Sequence, residues 1–167
     1  SWMGCFDAAV AKRAQHIRPS HVPFVGISSG FDSGAIHASL LRQKLPFIGI
    51  SILGKENERL ILERQKLSHE VGMRHMVIDA SEAKNTCSVT AKLREELVED
   101  LPYVITSDSR EIRNEPTSVL GDKAAAGLSV LAHSANKLGS IVCLSGAGSD
   151  ETISDYGFGG RPIYQHS

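Results

Sequence analysis

Two short stretches carry residue types able to do chemistry. The first reads Val25-Gly26-Ile27-Ser28-Ser29-Gly30-Phe31-Asp32-Ser33-Gly34. Glycine and serine in a turn leave backbone N–H groups open, and a helix starting directly behind adds partial positive charge, so the stretch favours an anion. The hydroxyls of Ser28, Ser29 and Ser33 add donors for phosphate oxygens. Asp32 would repel a bare phosphate, and its presence calls for Mg2+ bridging carboxylate and phosphates. The second stretch, Leu144-Ser145-Gly146-Ala147-Gly148-Ser149-Asp150-Glu151, is another Gly/Ser turn with carboxylates. If both turns face one site, Asp32 and Asp150 can share the metal.

The first turn has two other readings. Asp32 or Ser33 can act simply as the N-cap of the following helix. Gly26-Ile27-Ser28-Ser29-Gly30 also satisfies GxSxG, the nucleophile elbow of serine hydrolases, with Ser28 as nucleophile and Asp150 and His166 following in that fold's triad order. That alternative leaves the second turn unexplained, whereas a metal and nucleotide site uses both. Neither GxxxxGK[ST] nor a strand followed by GxGxxG is present.

These turns need a scaffold that places them together, and the hydropathy pattern supplies one. Short β-branched runs at 23–28, 47–53, 73–79 and 140–144 predict strands. Between them, residues 33–43 and 57–71 predict crossover helices, the latter with apolar recurrences at Leu60, Leu67 and Val71. Pro46 and Gly72 supply stop signals. A further helix is predicted at 91–100, a polar surface loop at 106–115 ahead of Pro116, a long helix at 117–138 closed by Gly139, and a loop tail from 157. Strands alternating with helices predict an α/β fold, a Rossmann-like parallel sheet with helices on both faces, whose ligands gather at the carboxyl ends of the strands. The organisation expected is a helical or flexible segment over 1–22, one nucleotide-binding domain over 23–160 and a tail over 161–167.

Composition limits the partners. The chain has 167 residues, 41% hydrophobic and 22% charged, with 18 Lys+Arg against 19 Asp+Glu for a net charge of −1. Such a balance gives no basic field for a nucleic-acid backbone, so a phosphate site must be local. The three cysteines, Cys5, Cys87 and Cys143, form no CxxC and fit a reducing compartment, and no long apolar run predicts a membrane span or a secretion signal; the expected location is cytoplasmic. The seven histidines lack metal-ligand spacing and read as surface or packing residues. The charged run from Glu56 to Lys66 reads as a solvated helix face. Arg110 and Arg113 read as exposed loop residues within a polar stretch that a substrate carboxylate could approach.

Taken together, the two turns resemble a known family. Ser28-Ser29-Gly30-Phe31-Asp32-Ser33 is similar to the SGGxDS pyrophosphate loop of N-type ATP pyrophosphatases, and residues 144–151 are similar to the LSGEGxDE segment of the synthetase domain of asparagine synthetases. The resemblance runs from about residue 23 to residue 160 and includes Ile112-Arg113 ahead of a Pro-containing helix start. It implies an adenine nucleotide alpha hydrolase-like fold in which Ser28, Ser29, Gly30, Asp32 and Ser33 cradle the β- and γ-phosphates of ATP. It further implies that Ile52 lines the adenine pocket, that Ser145 and Gly146 contact the AMP portion, and that Asp32 and Asp150 are the catalytic carboxylates holding Mg2+. The implied reaction is adenylation of an aspartate-like carboxylate with release of pyrophosphate, followed by amidation. The nitrogen would come from free ammonia or a separate glutaminase, and the expected protein partner is a second copy in a homo-oligomer or a complementing chain. The alternative is a nucleotide-binding module without catalysis, because Ala147 stands where asparagine synthetases carry Glu.

Overall fold

The computed structural model describes residues 1–15, 17, 21–81, 104–107, 110–113 and 123–147. In chain order the elements are α1 (Trp2–Gln15), β1 (Phe24–Gly26), α2 (Phe31–Gln43), β2 (Ile48–Leu53), α3 (Glu58–Glu70), β3 (Arg74–Asp79), β4 (Val104–Ser107), β5 (Arg110–Arg113) and α4 (Lys123–Lys137). Strands β1, β2 and β3 form a parallel sheet in that order, with Phe24 opposite Ile48 and Ile48 opposite Arg74. Each consecutive pair is joined through a helix, as parallel pairing requires. The fold is therefore α/β and Rossmann-like.

Strand periodicity sorts the side chains onto two faces. On one face Val25 and Ile27 pack with Ile36 and Leu40 of α2, Phe47, and Val10 of α1. On the other, Phe24, Ile48 and Ile50 pack with Ala135, and Leu131 of α4 borders them. Leu40 and Ile50 are fully buried, each worth about 1.5–3 kcal/mol relative to exposure. Helix α1 is tied to α2 by Asp7, whose carboxylate accepts from Ser39 Oγ at 2.6 Å and from Arg42 Nη2 at 2.5 Å.

The helix ends follow local chemistry. Asn57 caps α3 by accepting the Leu60 N–H at 3.2 Å. Gly72 at φ 79° and Gly139 at φ 80° follow α3 and α4, in the left-handed region that glycine enters without a Cβ penalty. Helix α2 ends on Lys44 at φ 52°, where the N–H groups of Lys44 and Leu45 return to the carbonyls of Leu41 and Leu40.

Three expectations are corrected. Over residues 106–115, where a polar loop is predicted, β4 and β5 pair antiparallel from Val104 opposite Arg113 to Ser107 opposite Arg110. Backbone pairing across a two-residue connection tolerates polar side chains, so composition concealed the hairpin. The strand predicted at 140–144 is reduced to one parallel bridge between Phe24 and Cys143. Before it, the Ser140 N–H returns to Ala135 O, and after it Ser145 Oγ accepts the Ala147 N–H, so the extended run is short. The buried stripe of α3 is Ile61 and Ser68, while Leu67 and Val71 are exposed. The helix 91–100 and the tail from 157 lie outside the described residues. Among the described residues no helix is long and apolar enough to cross a membrane.

Helix α3 faces a polar core. His37 Nε2 meets Ser68 Oγ at 2.8 Å, His75 Nδ1 lies 3.3 Å from the same hydroxyl, and Ser51 Oγ lies 2.9 Å from His75 Nε2. Ser51 Oγ also donates to Ile27 O at 2.6 Å, and Ser68 Oγ to Arg64 O at 3.0 Å. As expected, these histidines pack inside the fold. Burial pushes both down to about 4, with the His75 and Arg64 charges adding to the effect on His37.

In the unfolded chain each histidine takes a proton near pH 6.5, which the folded chain refuses until about pH 4. Stability should therefore be complete above about pH 6.5 and fall as pH drops towards 4, by up to about 1.4 kcal/mol per pH unit for each histidine. Urea midpoints should decrease clearly between about pH 7 and pH 5, and a flat midpoint over that interval would contradict the account.

Candidate functional site

Strand β1 ends at the carboxyl edge of the sheet and delivers Ser28 into the turn before α2. The turn is held from within by serines. The Ser28 N–H donates to Ser33 Oγ at 3.1 Å, the two hydroxyls share a hydrogen bond of 2.8 Å, and the Gly30 N–H donates to Ser28 Oγ at 3.1 Å. The N-cap of α2 is Gly30, with extended backbone and no side-chain cap. The reading of Asp32 or Ser33 as N-cap is thus corrected. Both sit inside the first turn, where Ser33 folds back onto Ser28 and Asp32 is exposed.

Two residues that the sequence reading assigned to a solvated helix face belong to this turn. Glu56, in the connection between β2 and α3, accepts the Ser29 N–H at 2.5 Å and also the Ser29 hydroxyl. Arg64, on α3, donates to the Ser28 carbonyl and, at 3.1 Å from both Nη1 and Nη2, to the Gly30 carbonyl. Burial lowers the Arg64 pKa, and the Glu56 charge opposes that shift. Their neighbours Glu58, Arg59, Glu63 and Lys66 are exposed as expected. Two signals for the pair were present in the sequence. Glu56 follows a strand at its carboxyl end, where ligands gather, and Arg64 falls between Ile61 and Ser68 on the helical repeat. Gly34 makes room for the arginine, since a Cβ there would lie 2.9 Å from Arg64 Cζ.

The second turn arrives beside the first. A Cβ built on Gly146 would lie 2.9 Å from Asp32 Cβ and 3.0 Å from its carbonyl carbon, so the absence of a side chain at Gly146 lets the two backbones approach. Gly146 and Asp32 are therefore brought together, and Asp150 lies outside the described residues. Ser145 borders a different hollow, on the side of Val10, Arg13 and Ile36. Ile52 lines a cleft of about 230 Å3 with Ser28, Ile50, Glu56 and, from α4, Leu128 and Leu131. Its wall is apolar at the strand end and polar at the turn, the pairing expected where an amphipathic ligand binds. Arg110 and Arg113 lie on β5 rather than in a loop.

Among the described residues no group of three or more His, Cys, Asp or Glu side chains is arranged to hold a metal. The Asp32 side chain is exposed at this edge of the sheet. The chain matches no protein-family model and no curated protein.

Two outcomes check this geometry. Arg64→Ala and Gly34→Ala should each lower the urea midpoint, because each withdraws the guanidinium from the two loop carbonyls. The double variant should be no worse than Arg64→Ala alone, and full additivity in the double-mutant cycle would separate the residues. Gly146→Ala should cost about 1–3 kcal/mol in urea unfolding through overpacking against Asp32, and an unchanged midpoint would contradict the close approach.

Proposed function

We propose that this chain binds ATP with Mg2+ at the joined turns and adenylates a small, aspartate-like carboxylate, releasing pyrophosphate, as a step towards an amide. The observation that carries the reading is the close approach of Gly146 to Asp32. It sets the two turns that resemble the asparagine synthetase synthetase domain side by side, next to the cleft lined by Ile52. In this reading the adenosine end enters the cleft, and the serine turn takes the β- and γ-phosphates with its N–H and hydroxyl groups and the dipole of α2.

A carboxylate oxygen of the substrate would attack the α-phosphorus as the bond to the bridging β-oxygen breaks, and pyrophosphate leaves with that electron pair. Ammonia would then attack the acyl carbon, AMP would leave, and the ammonium proton would pass to solvent. The chain's contribution is positioning and charge neutralisation rather than a protein nucleophile. Asp32, with Asp150 from the resemblance, would hold Mg2+, which supplies neutralisation of phosphate charge. Ser28 Oγ is engaged by Ser33 and by the Gly30 N–H, contacts that shape an anion cradle and favour this reading over a nucleophilic serine.

The test is Mg2+-dependent ATP–pyrophosphate exchange with and without aspartate, alongside calorimetric ATP binding. The expected outcome is aspartate-stimulated exchange that falls by about a hundredfold or more in Asp32→Asn. ATP binding without exchange would reduce the reading to a nucleotide-binding module, in keeping with Ala147. Absence of both would remove it.

A further inference from the structure

The turn's contact with Glu56 is chemically unexpected for a phosphate cradle. One carboxylate oxygen takes both the Ser29 N–H, at 2.5 Å, and the Ser29 hydroxyl. A backbone N–H and a hydroxyl ahead of a helix N-terminus are the donors that a phosphate oxygen would use. Hydrogen bonds to an ionised acceptor are the strong ones, so the carboxylate is a real competitor for them. Glu56 also lines the same cleft as Ser28 and Ile52. It reaches the turn from a separate strand connection, and Arg64 grips the neighbouring carbonyls of Ser28 and Gly30. The contact is therefore positioned by tertiary structure.

We propose that Glu56 is a tethered occupant of the anion position at Ser29, which an incoming polyphosphate has to displace. Glu56 then sets a threshold. A small inorganic anion gains little by exchanging one oxyanion for another at Ser29, whereas a nucleotide held also through its adenosine end in the cleft can drive the carboxylate out. The nucleotide part of this inference rests on the ATP reading above; the occupancy of the Ser29 position stands on the hydrogen bonds alone.

The test follows the Ser29 amide by NMR in the 15N-labelled full chain while pyrophosphate is added without divalent cation. It compares wild type, Glu56→Gln, Glu56→Ala and the charge control Glu58→Gln, with calorimetric MgATP binding measured on each. Both Glu56 variants should bind pyrophosphate about tenfold tighter than wild type, with Glu58→Gln close to wild type. The ligand-free Ser29 amide resonance should also move in the Glu56 variants. A pyrophosphate affinity unchanged or weaker in both Glu56 variants, a gain matched by Glu58→Gln, or an unmoved Ser29 resonance overturns the proposal. MgATP binding in wild type with any of those results overturns the proposal alone. No binding of either ligand to any of the four chains overturns the ATP reading as well.

Discussion

The site depends on one long-range pairing, the return of the chain after α4 to lie beside β1. Phe24 donates its N–H to Val142 O and accepts from the Leu144 N–H, both at 2.9 Å, and Ser140 Oγ donates to Val22 O at 2.6 Å. This bridge is short, but it is made at the strand whose other edge pairs with β2 and whose end runs into the serine turn. Because the partner segment runs parallel to β1, its own turn emerges at the same edge of the sheet as Ser28. Gly146 then stands against Asp32. Two stretches more than a hundred residues apart become neighbours through a few backbone hydrogen bonds and the apolar packing of α4 beneath them.

The serine turn is shaped by forces from three directions. Ser33 holds it from α2, Arg64 fixes its carbonyls from α3, and Glu56 takes the Ser29 donors from the β2 edge. Arranged in this way, the Ser28 and Gly30 carbonyl oxygens meet the Arg64 guanidinium while the Ser29 N–H and hydroxyl meet the Glu56 carboxylate. Beneath the turn, Ser51 links Ile27 to His75, and Ser68 links His75 to His37. The floor of the site is therefore a hydrogen-bonded polar core, whose low dielectric keeps both imidazoles neutral.

The parts of the fold legible beforehand were those governed by local periodicity. Strands β2 and β3 and helices α2 and α3 fall within about two residues of their predicted positions, because element lengths and the stop signals at Pro46 and Gly72 agree. Gly72 and Gly139 end their helices as predicted. The failures share a different cause. The hairpin of β4 and β5 is made by backbone pairing between polar segments, and among the described residues the segment at 140–144 bridges Phe24 alone. In α3 the apolar-looking stripe was placed about one residue away from the face that packs, because that face meets histidines and serines rather than aliphatic side chains.

The same division applies to the site. Residue types and order alone determined that the turn from Ser28 to Ser33 follows a strand, precedes a helix and carries donors for an anion, since these are properties of neighbouring residues. They also determined that Gly146 belongs to a second turn of the same kind. Only the tertiary structure decided that Gly146 touches Asp32, that Ser145 borders a different hollow from Ile52, and that Glu56 and Arg64 join the serine turn. Sheet order and the docking of α3 set those contacts. They depend on distances between residues far apart in the chain, and local periodicity carries no information about such distances.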